Sequence, residues 1–124
     1  MNTTALLKYS LICFGFVFCS VYALFQLNPF GGWAWAPSQP EYQLMIVGIY
    51  FVLGTMMIYA SKDPLQHSLF IWFVIWSSLV HAVIMTFQAI VDPSEHGHFL
   101  GDIPALYIAA GVLAYLLKKE QRSL

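Results

Sequence analysis

Charged side chains are scarce in this sequence. Only 9% of its 124 residues are charged, whereas 60% are hydrophobic and 17% are aromatic. A soluble domain carries about a quarter charged residues, because water must solvate its surface. A chain so poor in charge therefore needs lipid as its solvent. Five Lys and Arg against six Asp and Glu also leave no basic field, which excludes nucleic acid as a partner.

Cysteine is scarce as well, and the spacing of the two cysteines excludes a disulfide bond between them. Cys13 and Cys19 are six residues apart in one apolar block, so a helix places them about 120° apart around its axis. They cannot bridge to each other. We interpret both as small apolar helix residues.

Four apolar blocks are long enough to cross about 30 Å of hydrocarbon. They cover residues 5–27, 41–60, 67–91 and 103–117. The last block is the shortest, with Asp102 as its predicted N-cap. Because the connections are short, neighbouring helices are predicted to pack antiparallel. The predicted fold is all-α, a single domain over residues 1–124 that forms a four-helix up-down transmembrane bundle.

The five Lys and Arg predict the orientation. All of them lie near the amino terminus, in the turn at 61–66 or in the tail, whereas the connections 28–40 and 92–102 hold none. Basic residues stay on the cytoplasmic side, so both termini are predicted to be cytoplasmic. We expect a multi-pass protein of the bacterial inner (plasma) membrane. We expect the first block to remain in the protein as a span and not to be removed as a signal peptide. The reason is that Pro37 would directly follow the candidate cleavage site, where it disfavours cleavage.

The polar residues of the third block share one helix face. At about 100° per residue they fall within an arc of about 100°. The six are His67, Ser77, Ser78, His81, Gln88 and Asp92. We name this intramembrane set the polar stripe, and we predict that it faces protein or water while the opposite face contacts lipid. The plainer interpretation is that such faces only hold the helices together.

His81 lies near the middle of its span, where an ionisable group is costly without a partner. We expect a neutral imidazole that is hydrogen-bonded to Gln88, to a serine hydroxyl of the stripe, or to a Tyr or Gln of the first helix. The position suits a structural histidine, a ligand-binding histidine or a proton relay. Haem held by two axial histidines of one subunit is disfavoured, because only a symmetric dimer would supply a second intramembrane His.

The second outward connection concentrates acidic and histidine side chains. They are Glu95, His96, His98 and Asp102, and the topology brings Glu41 to the same membrane face. Imidazole and carboxylate together suit a divalent metal such as Zn, Fe or Mn, and three ligands with an open position form a catalytic site. The plainer interpretation is that a short outward loop is polar because water surrounds it.

A family resemblance is carried by four parts of the sequence. They are WSSLVHA at 76–82, GHFLGDIPA at 97–105, GWAW at 32–35 and Tyr50. With them the chain resembles a family of small uncharacterised bacterial four-helix integral membrane proteins, defined as a domain of unknown function. The resemblance covers most of the chain. It implies the fold, and no activity, cofactor or catalytic residue.

Three functions from different classes are consistent with the sequence. We rank a structural or accessory protein first, because the chain is small. Such a protein acts through helix-helix contacts in a homo-oligomer or a larger membrane complex. The second is a binding protein or carrier for a proton, a metal ion or a small apolar molecule, which uses the polar stripe and the outward loop.

The third function is a membrane enzyme that acts on a lipid or isoprenoid substrate. Its acid and base would come from Glu41, His81, Glu95 or His98. The sequence has no Gly-rich phosphate loop, Ser nucleophile motif, Cys-x-x-Cys or His-Glu-x-x-His to support it. An enzyme is therefore the less favoured class.

Overall fold

A computed structural model describes residues 1–124, and its regular structure is all helical. The five α-helices are α1 (Thr3–Cys19), α2 (Val21–Leu27), α3 (Pro40–Ala60), α4 (Ser68–Val91) and α5 (Asp102–Arg122). Two 3₁₀ helices, Pro29–Gly31 and Pro93–Leu100, lie in the longer connections. We name these connections the first loop (residues 28–39) and the second loop (residues 92–101). The predicted all-α class is confirmed.

Helices α3 and α4 are each long and apolar enough to cross a membrane. Up to four spans result if each of two bent pairs counts as one. One pair is α1 with α2, bent by 52°, and the other is the second 3₁₀ helix with α5, bent by 42°. The predicted spans 41–60 and 67–91 agree with α3 and α4 to within one residue.

The first predicted span, 5–27, is broken at Ser20 between α1 and α2. The Ser20 backbone N–H is shared between the Phe16 and Val17 carbonyl oxygens, each 3.0 Å away. Its hydroxyl donates to the Phe16 carbonyl oxygen at 2.7 Å. A serine that bonds back to the preceding turn competes with the helical ladder and bends the helix.

The fourth predicted span, 103–117, is longer at its carboxyl end than the apolar block, because α5 continues to Arg122. Its last turns are amphipathic, with Leu117 fully buried and Glu120 nearly so. The Glu120 carboxylate accepts a hydrogen bond from the Thr4 hydroxyl of α1, which extends the packing of these two helices. The N-cap prediction is wrong, since Gly101 holds that position and Asp102 is the first helical residue.

The helices pack in a chain of neighbours that leaves one side open. Helix α1 packs against α3 and α5, and α4 packs against α5, whereas α3 and α4 touch only sparsely. The core fills the space between α1, α4 and α5. Its fully buried side chains include Leu7, Leu11, Ile71, Leu113 and Leu117. Between α3 and α4 there remains a space that we name the α3–α4 groove.

Two glycines meet where α1 crosses α3. A Cβ added to Gly15 would lie 2.8 Å from the Gly54 carbonyl oxygen, and a Cβ added to Gly54 would collide with the Gly15 carbonyl oxygen. Cys19 lies beside this crossing, with its Sγ 3.7 Å from the Phe51 carbonyl oxygen. The absence of side chains lets the two backbones touch, as small residues do in membrane helix pairs.

The two loops also dock backbone against backbone. The Asp102 N–H donates to the Gly32 carbonyl oxygen at 3.0 Å, which joins the start of α5 to the first loop. A Cβ added to Gly32 would lie 2.9 Å from the Cα of Gly101, and one added to Gly97 would collide with Gly31. These glycines hold the first loop directly over the second, where the acidic and histidine residues lie.

Candidate functional site

The α3–α4 groove runs beside the polar stripe of α4. Its section near the loops has a volume of about 660 Å³ and is bordered by His81, Gln88 and Asp92. Its middle section has about 240 Å³ and is bordered by Ser77, Ser78 and His81. His67 lies at the far end of α4, with its ring 5.4 Å from that of Tyr59 on α3. The structure thus brings five stripe residues together along one groove.

A second space, which we name the core cavity, lies on the other side of His81. It has a volume of about 180 Å³, and 14 of its 16 lining residues are hydrophobic. Its aromatic residues are Phe14, Phe18, Phe25, Trp33, Trp35 and Tyr50. His81 and Asp102 are the two polar residues in its wall. All five helices and the first loop contribute to this cavity.

The core cavity and the groove share part of their walls. Both are bordered by Phe25, Trp35, Ile46, His81 and Met85. The imidazole of His81 therefore lies between an apolar interior space and a groove that opens between two helices. This position gives His81 access to a molecule in either space.

The partner of His81 is a tyrosine of the neighbouring helix. The Tyr50 hydroxyl of α3 lies 2.6 Å from Nδ1 of His81. The ring of Tyr50 packs edge-on against Phe18, with ring centroids 5.1 Å apart. We expected Gln88, a stripe serine or a residue of the first helix as the partner, and that expectation is wrong. Ser77 instead donates to the Val74 carbonyl oxygen of its own helix, at 3.2 Å.

The second loop buries a histidine between two carboxylates. His98 has no exposed surface, and Glu95 is 4% exposed. Nδ1 of His98 lies 2.7 Å from Oδ1 of Asp102, and Nε2 lies 3.1 Å from Oε2 of Glu95. Trp35 of the first loop stacks on the imidazole, with ring centroids 4.2 Å apart and planes at 21°. We name Glu95, His98 and Asp102 the His98 cluster.

The His98 cluster is held from both loops. The Ala36 N–H of the first loop donates to Oε1 of Glu95 at 3.1 Å. A neutral imidazole has one N–H donor, so two bonds to carboxylates require either an imidazolium or a protonated carboxyl group. Such charge-assisted bonds stabilise a buried cluster only when every member is paired. The cluster is therefore well suited to fixing the loops over the core cavity.

The residues predicted as metal ligands do not converge on one point. No group of three or more His, Cys, Asp or Glu side chains has the geometry to hold a metal ion. Both nitrogens of His98 already face carboxylates, while His96 packs 5.8 Å from the ring of Phe99. Glu41 is exposed on the first turn of α3. Metal binding by the loop stays a prediction that this geometry does not favour.

Asp92 has a structural task at the start of the second loop. Its carboxylate accepts hydrogen bonds from the Ser94 hydroxyl at 2.6 Å and from the Ser94 N–H at 3.0 Å. These bonds, the side-chain one first, hold the pKa of Asp92 below its ordinary value, and the nearby His96 adds to the effect. Asp92 thus caps the 3₁₀ helix that carries Glu95 and His98 of the cluster.

Sequence reasoning missed the role of Trp35 and the core cavity. The GWAW motif at 32–35 predicts no role for Trp35, and only the contact with His98 reveals that this tryptophan covers a buried cluster. The cavity arises where Ala105 and Ala109, small residues on α5, face large aromatic side chains. Small residues one turn apart were a signal for it, although the same spacing also suits close helix packing.

Comparison with known proteins identifies a family and no activity. A family model described as "Family of unknown function (DUF6632)" matches residues 2–122. No curated protein and no solved structure matches the chain. Function must therefore be argued from the geometry of the cavity and its polar groups.

Proposed function

The chain belongs to DUF6632, a family of unknown function, and we propose that it is a membrane protein that binds a small apolar molecule in the core cavity. The position of His81 carries this proposal, because His81 is one of only two residues in the cavity wall that are not hydrophobic. Sites for small molecules are concave, mostly apolar and supplied with few well-placed polar groups. The Tyr50 hydroxyl bond fixes the orientation of that imidazole.

The proposed setting is a four-helix bundle with four spans and both termini in the cytoplasm, in the bacterial inner membrane. Helices α3 and α4 supply two spans, and each bent pair supplies one. In this setting His81 lies about 15 Å from the loop end of α4, at 1.5 Å per residue, near the middle of the hydrocarbon. The binding site is then reached from lipid through the α3–α4 groove.

The orientation is tested by cysteine labelling. We expect Ser38→Cys in the first loop to react with a membrane-impermeant maleimide in intact cells, and Ser123→Cys to react only after lysis. Both variants are made with Cys13 and Cys19 replaced by alanine. The basic residues near the amino terminus, in the 61–66 turn and in the tail favour this orientation. Labelling of Ser123→Cys before lysis would contradict it.

Binding is tested by filling the cavity. We expect benzophenone, an apolar photoreactive ketone, to crosslink to cavity residues such as Met85 when the protein is irradiated in nanodiscs. Ala105→Phe places a ring in the core cavity and should lower the yield of these adducts about tenfold. That decrease corresponds to a loss of about 1.4 kcal/mol of binding free energy. Mass spectrometry of the peptides measures the adducts.

The matched control for this experiment is Val112→Phe on the same helix. Val112 is 36% exposed and borders neither the core cavity nor the groove. The Val112→Phe variant should therefore leave the yield of adducts at Met85 unchanged. If Ala105→Phe and Val112→Phe give the same labelling as the wild type, the core cavity is not the site of binding.

A structural or accessory role is the second candidate, and the sparse contact between α3 and α4 favours it. A helix of a second copy, or of a larger membrane complex, would cover the groove between them. This role requires a stable assembly in nanodiscs or detergent, whereas the proposed binding needs only one chain. Light scattering of the purified protein distinguishes the two.

The enzyme hypothesis gains no support from the positions of its acid and base candidates. Glu41 is exposed, His81 borders the cavity, and His98 is fully buried with both nitrogens engaged. General acid-base catalysis needs two free groups within reach of one substrate atom. No pair among these candidates offers that arrangement.

A further inference from the structure

The second nitrogen of His81 indicates what kind of molecule enters the core cavity, an inference that rests on the proposed function. Nδ1 of His81 bonds to the Tyr50 hydroxyl at 2.6 Å, and Nε2 has no hydrogen-bond partner within the protein. Every fully buried side-chain nitrogen or oxygen in the structure does have a partner. Nε2 is therefore not fully enclosed by protein, and the spaces that His81 borders are the core cavity and the α3–α4 groove.

Counting protons identifies Nε2 as a donor. An imidazolium is costly at this depth in a membrane, so the ring carries one proton. If the Tyr50 hydroxyl donates to Nδ1 of His81, that proton is on Nε2, and only the Nε2–H lacks a partner. In the other tautomer both the Tyr50 O–H and the Nε2 lone pair lack partners. Each unpaired polar group costs about 1 to 3 kcal/mol, which favours the first arrangement.

From this geometry we infer that the core cavity takes a neutral apolar molecule that carries a hydrogen-bond acceptor oxygen, such as a carbonyl group. The oxygen accepts from the Nε2–H of His81, and the apolar body contacts the aromatic wall. The adjoining groove, with a volume of about 660 Å³, leaves room for a longer tail. Binding thereby pairs a donor that the protein itself leaves free.

The depth of His81 selects the source of this oxygen. The ester groups of phospholipids lie at the boundary of the hydrocarbon, about 15 Å from its middle. His81 lies about 15 Å from the loop end of α4, so a phospholipid ester in place does not reach it. The ligand is therefore a free lipophilic carbonyl compound and not a membrane glycerolipid.

Competition against benzophenone labelling tests the inference with three molecules of one ring skeleton. They are fluorenone, which has a carbonyl acceptor, fluorene, which has no oxygen, and 9-fluorenol, which also donates. The nanodiscs are made of ether-linked lipid, which contains no ester carbonyl. In them we expect fluorenone to lower the labelling as much as fluorene does when the bilayer holds about one-tenth as much fluorenone. A hydrogen bond worth about 1 to 1.5 kcal/mol accounts for that ratio.

Variants of two histidines and one tyrosine complete the test. His81→Phe should make fluorenone and fluorene equal, while His67→Phe, at the far end of α4, should keep the preference. Tyr50→Phe removes the hydroxyl that fixes the tautomer and should weaken the preference without abolishing binding. This variant also serves if His81→Phe does not fold.

The outcomes separate the inference from the proposed function. If wild-type cavity residues are not labelled at all, the proposed function fails and the inference fails with it. If they are labelled but fluorene and fluorenone compete equally, the inference is overturned while binding of an apolar molecule stands. If 9-fluorenol alone competes better than fluorene, Nε2 accepts instead of donating, and the inference is again overturned.

Discussion

Replacing His98 with alanine should lower the free energy of unfolding by about 3 to 5 kcal/mol, the cost of removing one partner from a buried ionic cluster. The substitution removes the imidazole that bridges the Glu95 and Asp102 carboxyl groups and leaves both groups without their common partner. It also removes the ring on which Trp35 stacks. We expect the loops to separate and to expose the core cavity at its loop end.

His96→Ala is the matched control for this prediction. His96 lies two residues away, is exposed and packs beside Phe99, so its loss should change the free energy of unfolding by less than about 0.5 kcal/mol. Unfolding by SDS titration in mixed micelles, followed by tryptophan fluorescence, measures both variants. Equal midpoints for His98→Ala and His96→Ala would show that the cluster is not buried as described.

The second large effect is expected at the crossing of α1 and α3. Gly54→Ala should lower the free energy of unfolding by about 1 to 3 kcal/mol, because overpacking at a backbone contact forces the helices apart. The added Cβ collides with the Gly15 carbonyl oxygen and lies 2.7 Å from Sγ of Cys19. A carbonyl oxygen on a helix cannot turn aside as a flexible side chain does.

Gly48→Ala on the same helix is the control for Gly54→Ala. Nothing lies within 4 Å of a Cβ at Gly48, so this change meets open space. Alanine favours the helix over glycine by up to about 1 kcal/mol, and Gly48→Ala should leave stability equal or higher. The same SDS titration compares them. A stabilising Gly54→Ala would contradict the backbone contact.

The helices could be predicted from the sequence where composition changes sharply. Pro40 and the polar turn at 61–66 delimit α3 as clear breaks in hydropathy. The break at Ser20 could not be predicted, because hydropathy continues through it. Ser77 also donates to a carbonyl of the preceding turn, yet α4 continues through it. A back-bonding serine therefore permits a bend, and packing decides whether one forms.

The candidate site was predictable only as far as it depends on local periodicity. The helical period alone predicts that the polar residues of α4 share a face. The bond between Tyr50 and His81 joins residues 31 positions apart, and the bond between Ala36 and Glu95 joins residues 59 apart. From its composition, the second loop is predicted to be polar and hence exposed. The burial of Glu95 and His98 within this loop depends on a tryptophan of the first loop, which no local pattern indicates.

In the proposed setting, the open side between α3 and α4 also determines which ligand concentration sets the occupancy of the core cavity. A ligand that arrives sideways from lipid is in equilibrium with its concentration in the bilayer and not with its concentration in the surrounding water. Each tenfold preference for the bilayer over water adds about 1.4 kcal/mol to the apparent binding energy before any protein contact forms. In the proposed function, partitioning therefore fills even a cavity of low affinity, and the Nε2–H of His81 would serve mainly to choose among hydrophobic molecules that are already abundant beside it.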